Sequence, residues 1–376
     1  MSTLLSETLA VARPLMRPAS FADYEGIAAL EALHGLKTKT KEEWTHLWTC
    51  NPAFYQTEDW PIGWVLEDTE SGIVGTIGNI PFAYHFGKKT YTAAVARGWS
   101  VLPRYRGYSM WLLMELMRQP NVDFEVTTTP NITAAAVFAR LGWSCPPVGR
   151  WDRAGLWVAN YPALAGRYML NSIQSALTRL VGWRLSRPPD SSEHIGARCS
   201  LQRGIELEWC DGFDDCFQVF WEELKEKNHQ LFLAGRSQAE LRWHYKYALC
   251  ARRIWVLRAV KGRRMLAYAI FHRRSTSQRY LSLVNLVDFQ ALQEDTDICR
   301  SMLDVTLKRC RSEGVDVLEN TGCWIEGSRF LKQLAPIHRS LKCASYLYTV
   351  KNPSLTGPLQ NTECWLPTQY DGDVGL

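Results

Sequence analysis

The sequence predicts an α/β (α+β) protein of two similar domains in tandem, each a mostly antiparallel sheet flanked by helices. Three observations predict it. The chain has 376 residues, more than one typical core accommodates. Its apolar spacing alternates between the helical and the strand period. Its second half repeats the element order of the first.

Residues 1–16 are expected to be loose. Arg17-Pro18-Ala19 opens a short strand, and Asp23 with Ile27, Leu30 and Leu33 a helix. A second helix carries Glu43, Trp44 and Trp48 and ends at Asn51-Pro52. From Gly63 the period becomes two. Residues 64–67, 73–86 and 91–102 read as an antiparallel meander, with turns at 68–72 and at Gly87-Lys88-Lys89. Residues 108–118 read as a helix, 122–128 as a strand, 133–141 as a helix stopped by Gly142, and 151–158 as a last strand. The first domain spans 17–158 in the order β-α-α-β-β-β-α-β-α-β.

Residues 159–202 read as a connector. It holds an amphipathic helix at 162–184, packed between domains, and the linker Arg187-Pro188-Pro189-Asp190-Ser191-Ser192. Residues 203–352 form the second domain. Helices are expected at 213–225 and 239–247, a meander at 255–260, 265–273 and 280–287, then a helix at 297–312, a strand at 315–319, a helix at 326–334 and a strand at 344–350. Residues 353–376 read as a tail. Residues 122–143 align without gaps on 315–336: Thr128 meets Thr321, Ile132 meets Ile325, and Leu141 meets Leu334. Trp64-Val65-Leu66 meets Trp255-Val256-Leu257, and Trp44 meets Trp243.

Composition excludes several classes. The net charge of +5 is mild and suits an anionic ligand. No basic stripe interleaved with aromatics points to nucleic acid. The eleven cysteines form no CxxC and no zinc spacing with histidine, so neither a metal nor a disulfide framework is expected. No apolar run is long enough to span a membrane, and the start lacks a signal-peptide pattern. A cytoplasmic protein is expected. Oligomeric state is not legible.

The strongest local signal is Val101-Leu102-Pro103-Arg104-Tyr105-Arg106-Gly107-Tyr108-Ser109, followed by helical Met110, Leu112, Leu113 and Leu116. It lies where a strand gives way to a helix. Small residues there let the backbone approach a ligand, and free amides at a helix start suit phosphate. A second pattern follows: Asn131-x-x-Ala134-x-x-Val137-Phe138-x-x-Leu141-Gly142-Trp143.

The first pattern resembles the acyl-coenzyme A signature of the GNAT superfamily, Gln/Arg-x-x-Gly-x-Gly/Ala after a strand ending Val-x-Pro, with Ser109 at the last small position. The second resembles that family's Asn-x-x-Ala-x-x-(apolar)-Tyr-x-x-x-Gly-Phe. The resemblance covers 17–158 by motif and 203–352 by topology only, so the second copy looks degenerate. It implies a sheet splayed near its centre in each domain. It implies an acyl donor, taken as acetyl-coenzyme A, and direct transfer to an amine. Val101 and Leu102 would border the thioester. Arg104, Arg106, Gly107, Tyr108, Ser109 and Met110 would hold the pyrophosphate. Asn131, Ala134 and Phe138 would lie along the pantetheine arm. In the family a tyrosine stands where this chain has Phe138, which has no proton to give the leaving thiolate.

Transfer to an amine needs a base or a water chain. Glu125 and Asp123 share one face of the strand before Asn131 and are the candidate bases, each with the alternative of capping a strand end or meeting water. Glu319 is a further candidate from the opposite wall. Arg97 is read as an acceptor contact or a solvated strand residue. The acceptor is open between a sugar amine, an amino acid and a small metabolite amine. Two other readings stand beside the enzyme: a non-catalytic GNAT scaffold, and a Fem-like aminoacyl transferase, which would lack the coenzyme A signature.

Overall fold

The computed structural model describes residues 13–57, 59–161, 199–201, 204–274, 282–326 and 335–376. The expected helix at 162–184, the linker at 187–192 and nearly all of the helix at 326–334 lie outside the described residues.

The first half runs β1 (Leu15–Pro18), α1 (Tyr24–Leu33), α2 (Lys41–Thr49), β2 (Gly63–Asp68), β3 (Gly72–Phe86), β4 (Lys89–Val101), α3 (Ser109–Arg118), β5 (Phe124–Thr127), α4 (Ile132–Arg140) and β6 (Arg153–Val158). This is the order that the periodicity predicts. The second half runs β7 (Cys199–Leu201), β8 (Ile205–Cys210), α5 (Asp215–Lys227), β9 (Leu233–Ala234), α6 (Gln238–Cys250), β10 (Ile254–Lys261), β11 (Arg264–Arg274), β12 (Leu283–Ala291), α7 (Thr296–Ser312), β13 (Val317–Thr321), β14 (Ile337–Ser340), β15 (Leu347–Val350) and α8 (Thr356–Gln360). Capping boxes start the second helix of each four-element opening: Thr40 with Glu43 at α2, and Ser237 with Glu240 at α6.

Two sheets result. One is ordered β1-β2-β3-β4-β5-β15, with β9 added on β3; the other is ordered β14-β6-β13-β12-β11-β10-β8-β7. The sequence places 151–158 at the end of the first domain and 344–350 at the end of the second. In the structure they trade sheets. β6 pairs antiparallel with β13, Val158 opposite Val317, and β15 pairs antiparallel with β5, Val350 opposite Phe124. Alternation identifies a strand but does not say which open edge it covers. The exchange interlocks the halves, so the division of the chain near 158 is not a division between the sheets.

Residues 353–376 are likewise not a loose tail. Leu355, Leu359 and Trp365 have no exposed surface, Tyr370 has 1% and Val374 5%. They join one hydrophobic cluster that runs through both halves.

The internal repeat is exact at the parallel strands. Phe124 on β5 pairs first with Ala93, and the aligned Val317 on β13 pairs first with Leu283. Asp123 accepts from the backbone N–H of Thr92 at 2.8 Å, and Asp316 accepts from that of Ser282 at 2.9 Å. The same aspartate thus sets the same register twice.

Candidate active site

The site follows from how β4 leaves β5. Their parallel pairing covers only Ala93 to Val95 on β4. Beyond it, Thr76 of β3 pairs with Ser100 and Gly78 with Arg97, so Gly98 and Trp99 together face the single residue Ile77. This is a β-bulge, and Gly98 takes the left-handed conformation at φ +62°, which favours glycine. The bulge turns β4 away and opens a wedge between β4 and β5. The second sheet opens in the same place. β12 and β13 pair only through Asn285 and Glu319, and β12 carries an extra residue, Val287, between the partners of Ile270 and Phe271.

At the mouth of the first wedge, residues 103–108 form a short 3-10 turn that leads into α3. Val101 is buried and Leu102 half-buried, its N–H donating to the Val74 carbonyl at 2.9 Å. Tyr105 is buried in the core, whereas Arg104, Arg106 and Gly107 are exposed. Neither arginine has an acidic partner among the described residues. A Cβ added at Gly107 would meet nothing within 4 Å. Nothing in the fold itself requires glycine there, and the space above its backbone is open. No side chain caps the start of α3; the Ser109 N–H donates to the Arg106 carbonyl of the preceding 3-10 turn, and Tyr108, Ser109 and Met110 are half-buried.

The corresponding start in the second copy is filled. The Asp295 carboxylate accepts from the N–H groups of Asp297 and Ile298 at the head of α7, both at 3.0 Å. A carboxylate already occupies the place that a phosphate would need.

On the far wall, Asn131 is the N-cap of α4 and accepts from the Ala134 N–H at 2.8 Å, so its side-chain oxygen is committed to the helix. Phe138, two turns on, is 2% exposed. Its ring lies 5.7 Å from Trp99 and 4.4 Å from Trp143, bringing β4 and α4 together across the wedge. The end of β5 meets the C-terminal segment: the Thr128 and Thr129 hydroxyls donate to Asp373 at 2.8 and 3.0 Å. Lys39, on the connection from α1 to α2, senses the charges of Arg97 and Asp373, and burial first, then Arg97, lowers it to about 8.

The two expected bases separate. Asp123 accepts from Thr92 N–H and from the Asn352 amide at 2.7 Å, holding β4 and the chain after β15. Glu125 has no exposed surface, and neither carboxylate oxygen has a hydrogen-bond partner. Its register partner Ala94 faces Pro81, on the side of the sheet where Asn79 donates to Gln119 at the end of α3. The Lys351 ammonium stands 3.7 Å away. Burial pushes Glu125 up to about 7, with Lys351 opposing. Arg97 is neither solvated nor open to an acceptor: it pairs with Glu31 at 2.8 Å. Glu319 is held by Arg339, at 2.8 Å.

Glu125 gives a stability prediction. Its folded pKa lies above the ordinary 4.5, so the folded state holds the proton more tightly. Its contribution is therefore most favourable below pH 4.5 and is lost as pH rises to about 7. The full loss is about 3 kcal/mol. Urea melts from pH 5 to 8 are expected to show Glu125→Gln lacking this decline. Parallel curves for the two proteins would refute the assignment.

The sequence shows no zinc spacing, yet the fold gathers Cys323, Glu326 and His338 within 4.8 Å. A ring nitrogen of His338 stands 2.8 Å from Glu326 as a hydrogen-bonded pair, and burial pushes the Cys323 thiol up to about 12.

Three solved structures share this architecture. N-myristoyltransferase of Saccharomyces cerevisiae, with bound myristoyl-CoA and inhibitors, is similar over 91% of this chain and 81% of its own, at TM-score 0.51 and 14% identity. A GCN5-related N-acetyltransferase from Kribbella flavida is similar over 90% of this chain and 71% of its own, at 0.51 and 10%. A conserved protein of unknown function from Enterococcus faecalis V583 is similar over 90% and 73%, at 0.51 and 10%. No family model and no curated protein matches in sequence. At these identities the likeness establishes the fold. The chain shares the fold of these structures, a mixed α/β architecture with two sheets. Among the described residues no helix is long and apolar enough to cross a membrane.

Proposed function

We propose that the protein is an N-acyltransferase that moves an acyl group, acetyl in the simplest case, from acyl-coenzyme A to a primary amine of a small molecule, amino sugar or amino acid. The observation that carries the reading is the open glycine turn at Gly107 placed at the mouth of the β4–β5 wedge. The uncapped start of α3 and the exposed Arg104 and Arg106 would hold the pyrophosphate. The pantetheine arm would run down the wedge past Val101 and Leu102 toward Trp99 and Phe138, with the α4 face of Asn131 and Ala134 on its other side. Only the first half would bind the donor, since Asp295 fills the second helix start.

The amine would attack the thioester directly. Its nitrogen bonds to the acyl carbon, the tetrahedral adduct collapses, and the coenzyme A thiolate leaves. Glu125 has the proton affinity of a base near neutral pH and stands next to Val126, where β4 and β5 part. Being enclosed, it would act through bridging water. Asp123 is occupied with register. The thiolate is a fair leaving group, because thiols ionise near 8.5. The unpaired thiols at Cys50, Cys145, Cys250 and the other described cysteines suit a reducing compartment, so we place the reaction in the cytoplasm.

Calorimetric titration with acetyl-CoA, then a thiol-release assay over an amine panel, tests this. Wild type is expected to bind the donor and release thiol. Phe138→Tyr should stay within about tenfold of wild type, since a positioned acid is not required. A scaffold would bind coenzyme A but release no thiol in either form. An aminoacyl transferase would bind no acyl-CoA.

A further inference from the structure

We propose that the face of the second sheet bearing His272, Arg274 and Asn285 is an oxyanion site that takes the carboxylate or phosphate of the acceptor. The acceptor role rests on the N-acyltransferase reading; the anion site does not.

The repeat makes the feature visible. In the first sheet, Ile80, Val95 and Val126 lie side by side across β3, β4 and β5, and all three are fully buried apolar residues. The matching row across β11, β12 and β13 is His272, Asn285 and Glu319. A core row has become polar. Asn285 has no exposed surface, yet neither its amide nitrogen nor its oxygen has a hydrogen-bond partner. Both ring nitrogens of His272 are also buried and unpartnered. An orphaned buried amide is costly, so it calls for a partner that the described residues do not supply.

Arg274 follows two residues after His272 on the same face of β11. It is half-buried and has no ion pair among the described residues. Arg253 and Lys37 are the other cations that bear on the His272 ring. Lys37 comes from the α1–α2 connection of the first half, the same connection that carries Lys39 toward Asp373. A charge of the first half is thus felt at this row of the second sheet. The one carboxylate in the row, Glu319, is already neutralised by Arg339 and accepts from the Thr321 hydroxyl at 2.7 Å. What remains is a set of donors: the guanidinium fork of Arg274, the amide N–H of Asn285 and one imidazole N–H. Burial lowers His272 to about 4, so the ring is neutral and offers a single N–H. A planar carboxylate or a phosphate supplies the acceptors these groups lack.

The test is a histidine-ring NMR titration of the full chain, without acyl-CoA, using inorganic phosphate and glutarate. The His272 signal, assigned by its loss in His272→Gln, is expected to shift at millimolar anion. Arg274→Met and Asn285→Leu should abolish the shift, and Asn285→Leu should melt no lower than wild type because it restores the apolar row. No shift with either anion, or a shift that survives in both variants, overturns the site. Phosphate and glutarate acting differently tells which oxyanion fits. In the thiol-release assay, amines bearing a carboxylate or phosphate should be preferred by at least tenfold in kcat/KM, and Arg274→Met should remove the preference with acetyl-CoA affinity unchanged. Equal use of neutral and anionic amines alongside a clear shift overturns the acceptor role. Failure of all amines counts against the enzyme and leaves the titration to decide the site.

Discussion

Gly107→Val is expected to weaken acetyl-CoA binding by about a hundredfold or more, roughly 2.7 kcal/mol, while leaving the melting temperature within a degree or so of wild type. The second half of the expectation gives the first its meaning. Gly107 does not take the left-handed conformation, and a Cβ there meets nothing within 4 Å. Valine therefore fits the folded chain. What it fills is the open space above the turn, where a pyrophosphate would approach the backbone between exposed Arg104 and Arg106. Branching at Cβ stands the donor off from the amides by more than a hydrogen bond tolerates. Gly107→Ala should fall between the two. Calorimetry measures the affinity, and a thermal melt run beside it separates obstruction from unfolding. Unchanged affinity in a folded Gly107→Val protein would move the donor to another part of the molecule.

The sequence was informative where structure is local or repeated. The gapless alignment of 122–143 on 315–336 is realised in the register of Phe124 and Val317. The signature at Arg104 to Ser109 lies in the turn between β4 and α3, as its residue types require. Gly98 inside a strand pattern was the available sign of a bulge; it marks the place where the wedge opens, and Trp99 beside it becomes a site residue. Other features depend on which distant segments meet. The exchange of β6 and β15 follows from two open sheet edges, and no pattern within either strand distinguishes them. Asp123 and Glu125 share a face, yet one is tied to Thr92 and Asn352 and the other is enclosed, without a hydrogen-bond partner and with the Lys351 ammonium 3.7 Å away. Alternation gave their face but not their company. The orphaned Asn285 needed the repeat and the structure together: its residue type is unremarkable in sequence and conspicuous only in a row whose counterpart is Ile80, Val95 and Val126.

Arg236→Met is expected to cost about 3–5 kcal/mol, enough to unfold much of the population of a marginally stable chain. Arg236, before α6, is 2% exposed. It donates to Asp288 on β12 through Nε at 3.0 Å and Nη2 at 3.1 Å, and to Asp371 through Nη2 at 2.6 Å. The Ala234 carbonyl takes Nη1 at 3.0 Å, and the guanidinium lies 4.6 Å from the Tyr370 ring. Asp288 also accepts from the Tyr268 and Thr368 hydroxyls, both at 3.0 Å. One cation thus secures β12 and the C-terminal segment, whose Asp371 carbonyl accepts from Tyr84 of the first sheet at 3.1 Å. Methionine keeps the side-chain length and leaves two buried carboxylates without a counter-charge. Even with Arg236 present, burial pushes Asp371 up to about 6. Its folded pKa exceeds the ordinary 3.8, so protonation favours the folded state, and this contribution is lost as pH rises through 6. Without Arg236 the shift grows, and the variant should recover stability as pH falls from 8 toward 5 more steeply than wild type does. Arg236→Met combined with Asp288→Asn and Asp371→Asn should regain part of the loss at pH 8, because the uncompensated charge is gone. Denaturant melts of the three proteins at the two pH values decide it. A single variant as stable as wild type, or a triple variant less stable than the single, would show that the ion network does not hold the C-terminal segment in place.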